Sequence, residues 1–422
     1  MKAIKNTAHR AGLYLGALGK WTLLAALIGG LCGVIGTAFH VSVDVVTEFR
    51  LTHPWVLWAL PALGLAIVGL YKLLRVEGKG TNHVLLSVQS GEPLPLSLTP
   101  AIFLSTVLTH LGGGSVGREG AALQMGGSLG YTAGKWLRLS DEDRRVAVLM
   151  GMAAFFTALF GTPLAATVFA IGVASLGLFC HAALLPCLLA SLAAMGVSGL
   201  LGVAPTRFQV AVPALDAVTL LRVAGLAALC ALVSMLFCFC VHQAEHLLSK
   251  SVKNPWLRAA LGGAALIALT LLAGNMDYNG AGMNIIAAAI EEGRALPWAF
   301  ALKILFTALS LGAGFKGGEV VPSFFVGATF GCVIGPLLGL PAGFAAAVGL
   351  TAVFCGATNS PIASLLLAVE MFGGDGLLFY ALACALSNLL SGYAGLYSSQ
   401  QVRYDKLRMR RIDARTNGYG EK

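Results

Sequence analysis

Long apolar stretches recur along this chain, over residues 21–39, 55–74, 146–178, 182–201, 218–241, 257–272, 299–311 and most of 324–397. Many reach the roughly 20 residues that a helix needs to cross a bilayer, while others are short or interrupted by Gly and Pro. The pattern predicts a polytopic, all-α membrane protein. Its glycine content and few long polar loops predict helices that approach closely, several of them tilted or ending halfway through the bilayer.

Composition agrees. The 422 residues are 57% hydrophobic and 11% charged, and a mean hydropathy of +0.81 excludes an ordinary soluble domain of this length. The net charge of +9 gathers at the ends. Lys2, Lys5, His9, Arg10 and Lys20 precede or open the first apolar run, and Arg403, Lys406, Arg408, Arg410, Arg411 and Arg415 follow the last. The positive-inside rule therefore predicts a multi-pass protein of the cell (inner or plasma) membrane with a cytoplasmic tail at 1–14 and a basic cytoplasmic tail at 401–422, both too short to fold. These charges face lipid headgroups rather than nucleic acid. The first apolar run lacks a signal-peptide cleavage pattern. The nine cysteines lie almost all in apolar runs and read as small buried hydrophobes; no ligand set for a metal accompanies them, and no cofactor is expected.

The chain repeats itself. Gly78-Lys-Gly-Thr-Asn82 is echoed by Gly280-Ala-Gly-Met-Asn284, and His40 by His242, both displaced by 202 in number. Leu111-Gly-Gly-Gly114 is echoed by Leu311-Gly-Ala-Gly314, which places Glu119 opposite Glu319, and the segment 161–166 by 359–364. Two related halves follow, 15–205 and 206–400. Paired, broken, glycine-rich helices mark ion sites in transporters, because unpaired N–H groups and the positive dipole end at a helix start favour anions.

At membrane depth, a carboxylate such as Glu119 is expensive and needs a role. Gly117-Arg-Glu-Gly120, the segment Gly318-Glu-Val-Val-Pro322, Tyr397 and the first loop Gly78, Lys79, Gly80, Thr81 and Asn82 stand in one order. With these motifs the chain resembles the CLC anion channels and proton-coupled antiporters over nearly its full membrane length. The resemblance implies two inverted-topology repeats and a homodimer with one anion path per subunit. It implies an anion held by Gly117, Arg118, Gly120, Val320, Val321 and Tyr397. Glu119 would be gate and proton carrier, since its carboxylate competes with the anion for the same amides until protonated. The structural alternative for Glu119 is an ion pair with Arg118.

Departures from the family pattern narrow the reading. Lys79 stands where the family commonly has a chloride-binding serine, and Glu319 where it usually has Phe. The combination resembles the fluoride/proton antiporter branch, in which a second glutamate takes part in coupling. Val321 departs from that branch, which generally has Thr there. An ion pair with Lys316 or Lys303, or a carboxylate at a helix start, is the bland reading of Glu319. Gly172 and Val173 occupy the place of the inner proton glutamate of chloride/proton exchangers, and Glu370 reads as structural. His40, Asp44 and Glu48, like His242, Glu245 and His246, read as boundary residues, and His110 as a packed one.

No phosphate-binding loop is present, the chain has no length for paired CBS regulatory domains, and an enzyme is not expected. The leading expectation is fluoride/proton antiport. Chloride/proton antiport or a passive chloride channel on the same fold stands second, and a non-transporting receptor or scaffold is a remote third.

Overall fold

A computed structural model describes residues 2–177, 179–408 and 410–417. Sixteen helices run through them in two sets of eight. The first set is α1 (Lys2–Thr52), α2 (Leu60–Leu73), α3 (Thr81–Ser90), α4 (Leu98–Gly112), α5 (Glu119–Trp136), α6 (Asp141–Phe160), α7 (Pro163–Val173) and α8 (Leu184–Leu200). The second is α9 (Ala217–Ser251), α10 (Pro255–Ala273), α11 (Met283–Glu291), α12 (Ala299–Ala313), α13 (Val320–Leu337), α14 (Ala342–Thr358), α15 (Pro361–Phe372) and α16 (Leu377–Leu390). Among the described residues, six helical segments are long and apolar enough to span a membrane; α4, α7, α12, α14, α15 and α16 are shorter apolar helices.

Punctuation by Gly, Asn and Pro explains the breaks. The apolar run 146–178 is cut in two where Gly161 caps α6 in the left-handed region (φ 69°) and Pro163 opens α7. Asn359 does the same between α14 and α15 (φ 54°), followed by Pro361. A left-handed cap ends one helix, and proline at the first turn of the next loses no bond that the helix would have made.

Glycines also set the helix spacing. A Cβ on Gly126 or Gly130 of α5 would run into the Gly151 and Ala147 carbonyls of α6, and one on Gly327 or Gly331 of α13 into those of Gly349 and Ala345 of α14. In each half a four-residue glycine spacing lets two helices meet backbone to backbone, as small residues do between helices in lipid.

The two halves interlock reciprocally at the centre. Gly117 N–H donates to Gly318 O (2.6 Å), and Gly318 N–H to Gly117 O (2.7 Å), in an antiparallel bridge. Ser115 N–H donates to Ser310 Oγ (2.9 Å), while Lys316 N–H donates to Thr109 Oγ1 (3.2 Å). Each bond is the other's mirror under a displacement of 201, the spacing of Gly117 and Gly318.

Residues 2–14 are helical and continuous with the rest of α1, which runs unbroken from Lys2. The basic C-terminal segment does fold: β2 (Gln401–Tyr404) pairs in parallel with β1 (Ser175–Leu176) and antiparallel with β3 (Arg411–Arg415). Its apolar residue Val402 is 1% exposed, so the hairpin gains from the helical body the burial it could not build alone. Residues 418–422 of that tail lie outside the described residues. The expected boundary at 205/206 falls in the irregular segment between α8 and α9, which is tied to both halves by Thr206 N–H to Phe160 O (2.9 Å) and Phe208 N–H to Met371 O (2.9 Å). Of the nine cysteines, Cys180 is exposed and Cys240 half-buried, and the other seven are buried.

Candidate functional site

The helix starts of α5 and α13 meet at the bridge between Gly117 and Gly318, so the unpaired amides of both point into one place. The Glu119 carboxylate lies there, fully buried. Its Oε2 accepts from the Arg118 amide (3.0 Å) and from the Val321 amide (3.3 Å), one donor from each half. Oε1 makes no hydrogen bond. The side chain thus occupies a seat built from backbone N–H groups and two helix dipole ends, which suits a dehydrated anion as well as a carboxylate.

An ion pair with Arg118 does not account for this placement. The Arg118 Nη1 donates to Asp44 Oδ1 of α1 at 3.2 Å, whereas Nε lies 3.9 Å from Glu119 Oε1 and makes no hydrogen bond. Asp44 also meets His40 Nε2 at 3.1 Å. His40 and Asp44 therefore reach the site through Arg118 and are not mere boundary residues. The i, i+4 spacing of His40 and Asp44 was the available signal, and the missing part was Arg118, 74 residues away in sequence.

Gly117 departs from expectation: its amide is spent on Gly318, so it supplies room rather than a donor. A Cβ there would stand 2.6 Å from Glu119 Oε2 and 3.0 Å from Pro322 Cδ. Gly120 packs as tightly, with a Cβ position 2.8 Å from Gly318 Cα and 3.2 Å from Glu319 Oε2. Val321 gives the site an amide and no hydroxyl, and Val320, fully buried, opens α13.

The structure shifts the expected pairing of the two glutamates by one residue. Glu119 is the first residue of α5, and its counterpart at the start of α13 is Val320; Glu319 stands at the N-cap, the place Arg118 holds in the first half. Glu319 is within electrostatic reach of Glu119, Glu245 and Lys316. Neither lysine considered for it forms an ion pair with it: Lys303 Nζ, fully buried, donates to the carbonyls of Tyr278 (3.2 Å) and Gly280 (2.6 Å), and Lys316 Nζ lies 4.8 Å from the centre of the Tyr71 ring. Glu319 Oε2 is buried and has no protein partner.

Glu319 opens instead onto a cavity of about 530 Å³, which Lys79, Gly80, Thr81, Asn82, Gln124 and Tyr397 also line. The first loop is held in place from several sides. Gly78 turns in the left-handed region (φ 72°), as Gly280 does in the second half (φ 63°). Thr81 Oγ1 accepts from the Gln124 amide (3.2 Å), and Asn82 Oδ1 accepts from the Ser399 amide (3.1 Å). Lys79 faces the cavity half-buried and makes no ion pair among the described residues.

Tyr397 sits in no helix. It is bracketed by Leu396 N–H to Ala357 O (2.9 Å), by Gln400 N–H to its own carbonyl (3.0 Å) and by the Asn82 bond to Ser399. Its ring is 1% exposed, its hydroxyl has no protein partner, and it lies within electrostatic reach of both glutamates. Gln124, on α5, joins the site through Thr81 and keeps a buried Oε1 without a hydrogen-bond partner.

Two further residues singled out in the sequence have other partners. Glu370 of α15 caps the start of α7, accepting from the Leu164 (3.0 Å) and Ala165 (2.9 Å) amides, a structural role. His110 is fully buried, with Nδ1 2.9 Å from Thr106 O.

Comparison with known proteins gives the family and the fold. The sequence profile of the family described as voltage gated chloride channel matches residues 63–392. A protein of Pseudomonas syringae pv. tomato described as a chloride/fluoride channel protein is 37% identical over 398 residues, 92% of this chain and 88% of its own. A Vibrio vulnificus protein described as the H+/Cl− exchange transporter ClcA is 26% identical over 438 residues, 93% of this chain and 92% of its own. The crystal structure of a CLC-type fluoride/proton antiporter superposes with a TM-score of 0.89 at 33% identity, covering 91% of this chain and 98% of that one.

Proposed function

We propose, from the premise that this chain belongs to the voltage gated chloride channel (CLC) family, that it is a membrane antiporter that exchanges fluoride for protons. The observation that carries the reading is the seat of Glu119, whose carboxylate takes one amide from each half of the molecule where an anion would lie. Protonation neutralises the carboxylate, weakens its hold on the amides and frees the seat. The anion then enters, and the proton leaves with the side chain. Arg118, Gly120, Val320 and Val321 form the anion's seat, Tyr397 and the loop 78–82 line its way to the cavity, and Glu319 passes the proton between Glu119 and the cavity.

Fluoride is favoured over chloride by a second carboxylate at 319 and by Lys79 at the position where the family commonly has a chloride-binding serine. A small, strongly hydrated anion needs dense donors to repay its dehydration, and amides with a nearby protonated carboxyl supply them. The same reading includes a homodimer with one path per subunit and both termini on the cytoplasmic side. Reconstitution into liposomes with a fluoride electrode and a pH probe tests it. Fluoride efflux with opposed proton movement, and loss of the proton movement in Glu119→Gln, is expected; chloride flux equal to fluoride flux sinks the selectivity, and anion flux without protons in the unmodified protein sinks the coupling.

A further inference from the structure

A proton that reaches Glu319 must cross the cavity of about 530 Å³ below it, a space that holds on the order of ten waters. The titratable side chains lining that space are Tyr71 of α2, Lys79 before α3, His242, Glu245 and His246 of α9, and Lys316, Glu319 and Tyr397. Arg258 of α10 lies within electrostatic reach of Lys316.

Most of these groups cannot carry a proton at neutral pH. In water an ammonium or a phenol gives up its proton only near pH ~10. Glu245 and His246 are exposed at the mouth, in contact with bulk solvent. His242 alone is an imidazole set back from the mouth, half-buried, on the cavity wall shared with Glu319. Neither of its ring nitrogens, both buried, has a protein partner. Buried polar groups are hydrogen-bonded as a rule, and a ring with both nitrogens free beside a polar cavity is positioned to take a proton on one side and give it on the other.

The inverted repeat sharpens the contrast. His40, the counterpart of His242, is engaged through Nε2 by Asp44, which also holds Arg118. The equivalent histidine in the second half has been left without such a carboxylate bond.

We infer that His242 is the inner proton relay of this protein, transferring protons between the cavity water and Glu319. One ring nitrogen accepts a proton from water continuous with the mouth while the other releases one toward the Glu319 carboxylate. The ring then returns to its starting tautomer, so no net charge is left on it. Glu245 and His246 stand at the mouth, where the relay meets bulk solvent. This role rests on the proton-coupled reading above.

The test is His242→Gln in proteoliposomes, with fluoride and proton fluxes read together as the pH on the cavity side is varied. Removing a proton-transfer group slows its step by about a hundredfold or more when that step limits, so exchange in His242→Gln should fall at least tenfold at pH 8 and recover as that side is acidified. Imidazole added on the cavity side, and His242→Asp, should each restore most of the rate, with the proton-to-fluoride ratio unchanged throughout. A His242→Gln protein as fast as the unmodified one at pH 8 overturns the relay. So does one that is slow at every pH and unanswered by imidazole or by His242→Asp, because that is the behaviour of lost packing. If the unmodified protein carries fluoride without protons, the antiport reading itself fails and the relay goes with it, a result distinct from either of the others.

Discussion

Glu119 shows how a single side chain draws its place from two distant parts of the sequence. One of its two amide donors, Arg118, is its neighbour; the other, Val321, is 202 residues away. An ionised carboxylate buried without partners would be prohibitively costly, and two amides at helix starts offset much of that cost. Arg118 depends on Asp44 in the same way. Asp44→Asn leaves the guanidinium, 6% exposed for the whole residue, without its carboxylate, and the freed charge turns toward Glu119. We expect exchange to slow by about tenfold, equivalent to roughly 1.4 kcal/mol of extra hold on the Glu119 carboxylate, with most of the loss recovered in Asp44→Glu; initial fluoride efflux rates decide it. Gly117→Ala places a methyl group 2.6 Å from the Glu119 carboxylate oxygen, so the side chain cannot keep its seat. The expected outcome is a folded protein, monodisperse in detergent, whose proton-coupled flux is lost.

At the scale of the element, helix ends and helix contacts obey different chemistry. Gly126 and Gly130 let α5 lie directly on α6, and this pair tolerates no larger side chain because backbone carbonyls, which cannot rotate away, face the missing Cβ. Gly130→Val forces the two helices apart at a cost of several kcal/mol, above the usual range for overpacking because backbone rather than side chain must move; loss of monodisperse protein on size exclusion is the expected result, whereas Gly196→Val, at a position with nothing near its Cβ, should purify normally. Asp216 caps α9, accepting from Val218 N–H (2.8 Å) and Thr219 N–H (2.9 Å). The Thr219 amide and then its hydroxyl hold the Asp216 carboxyl below the usual carboxylate range. A depressed folded value means that the cap's contribution is complete at neutral pH and is lost as pH falls through that value. Asp216→Ala should therefore lower the melting temperature at pH 7, and the difference from the unmodified protein should shrink as the pH is lowered and the carboxyl is protonated, read by differential scanning fluorimetry across a pH series.

The whole molecule turns on a join between its halves and on a clamp at its end. The clamp is the C-terminal hairpin, whose Val402 is buried on the body and whose neighbour Gln400 donates to the carbonyls of Val173 (2.9 Å) and Thr358 (3.0 Å). Between the last helix and this hairpin lies Tyr397, held by what surrounds it. Val402→Asp buries an unpaired charge and should release the hairpin, at a cost of several kcal/mol locally. The helical signal in circular dichroism should stay while fluoride exchange falls at least tenfold. Unchanged exchange would mean that Tyr397 is positioned without the clamp.

The apolar blocks were enough to define a helical membrane protein, because the bilayer leaves a chain of such composition few alternatives. The repeats in sequence marked the breaks, since a left-handed cap and a proline write themselves as Gly or Asn before Pro, at 161–163 and 359–361. Glu119 and Glu319 stood out for being charged in an apolar setting. Tertiary structure alone decided what these groups touch. Motif matching paired Glu119 with Glu319, but the reciprocal bonds at the bridge align it with Val320, a shift of one residue that similar glycine runs cannot resolve. Asp44 for Arg118, the cavity under Glu319 and the folding of the tail were likewise hidden, because each depends on groups far apart in the chain whose burial or pairing begins only once the two halves have closed on one another.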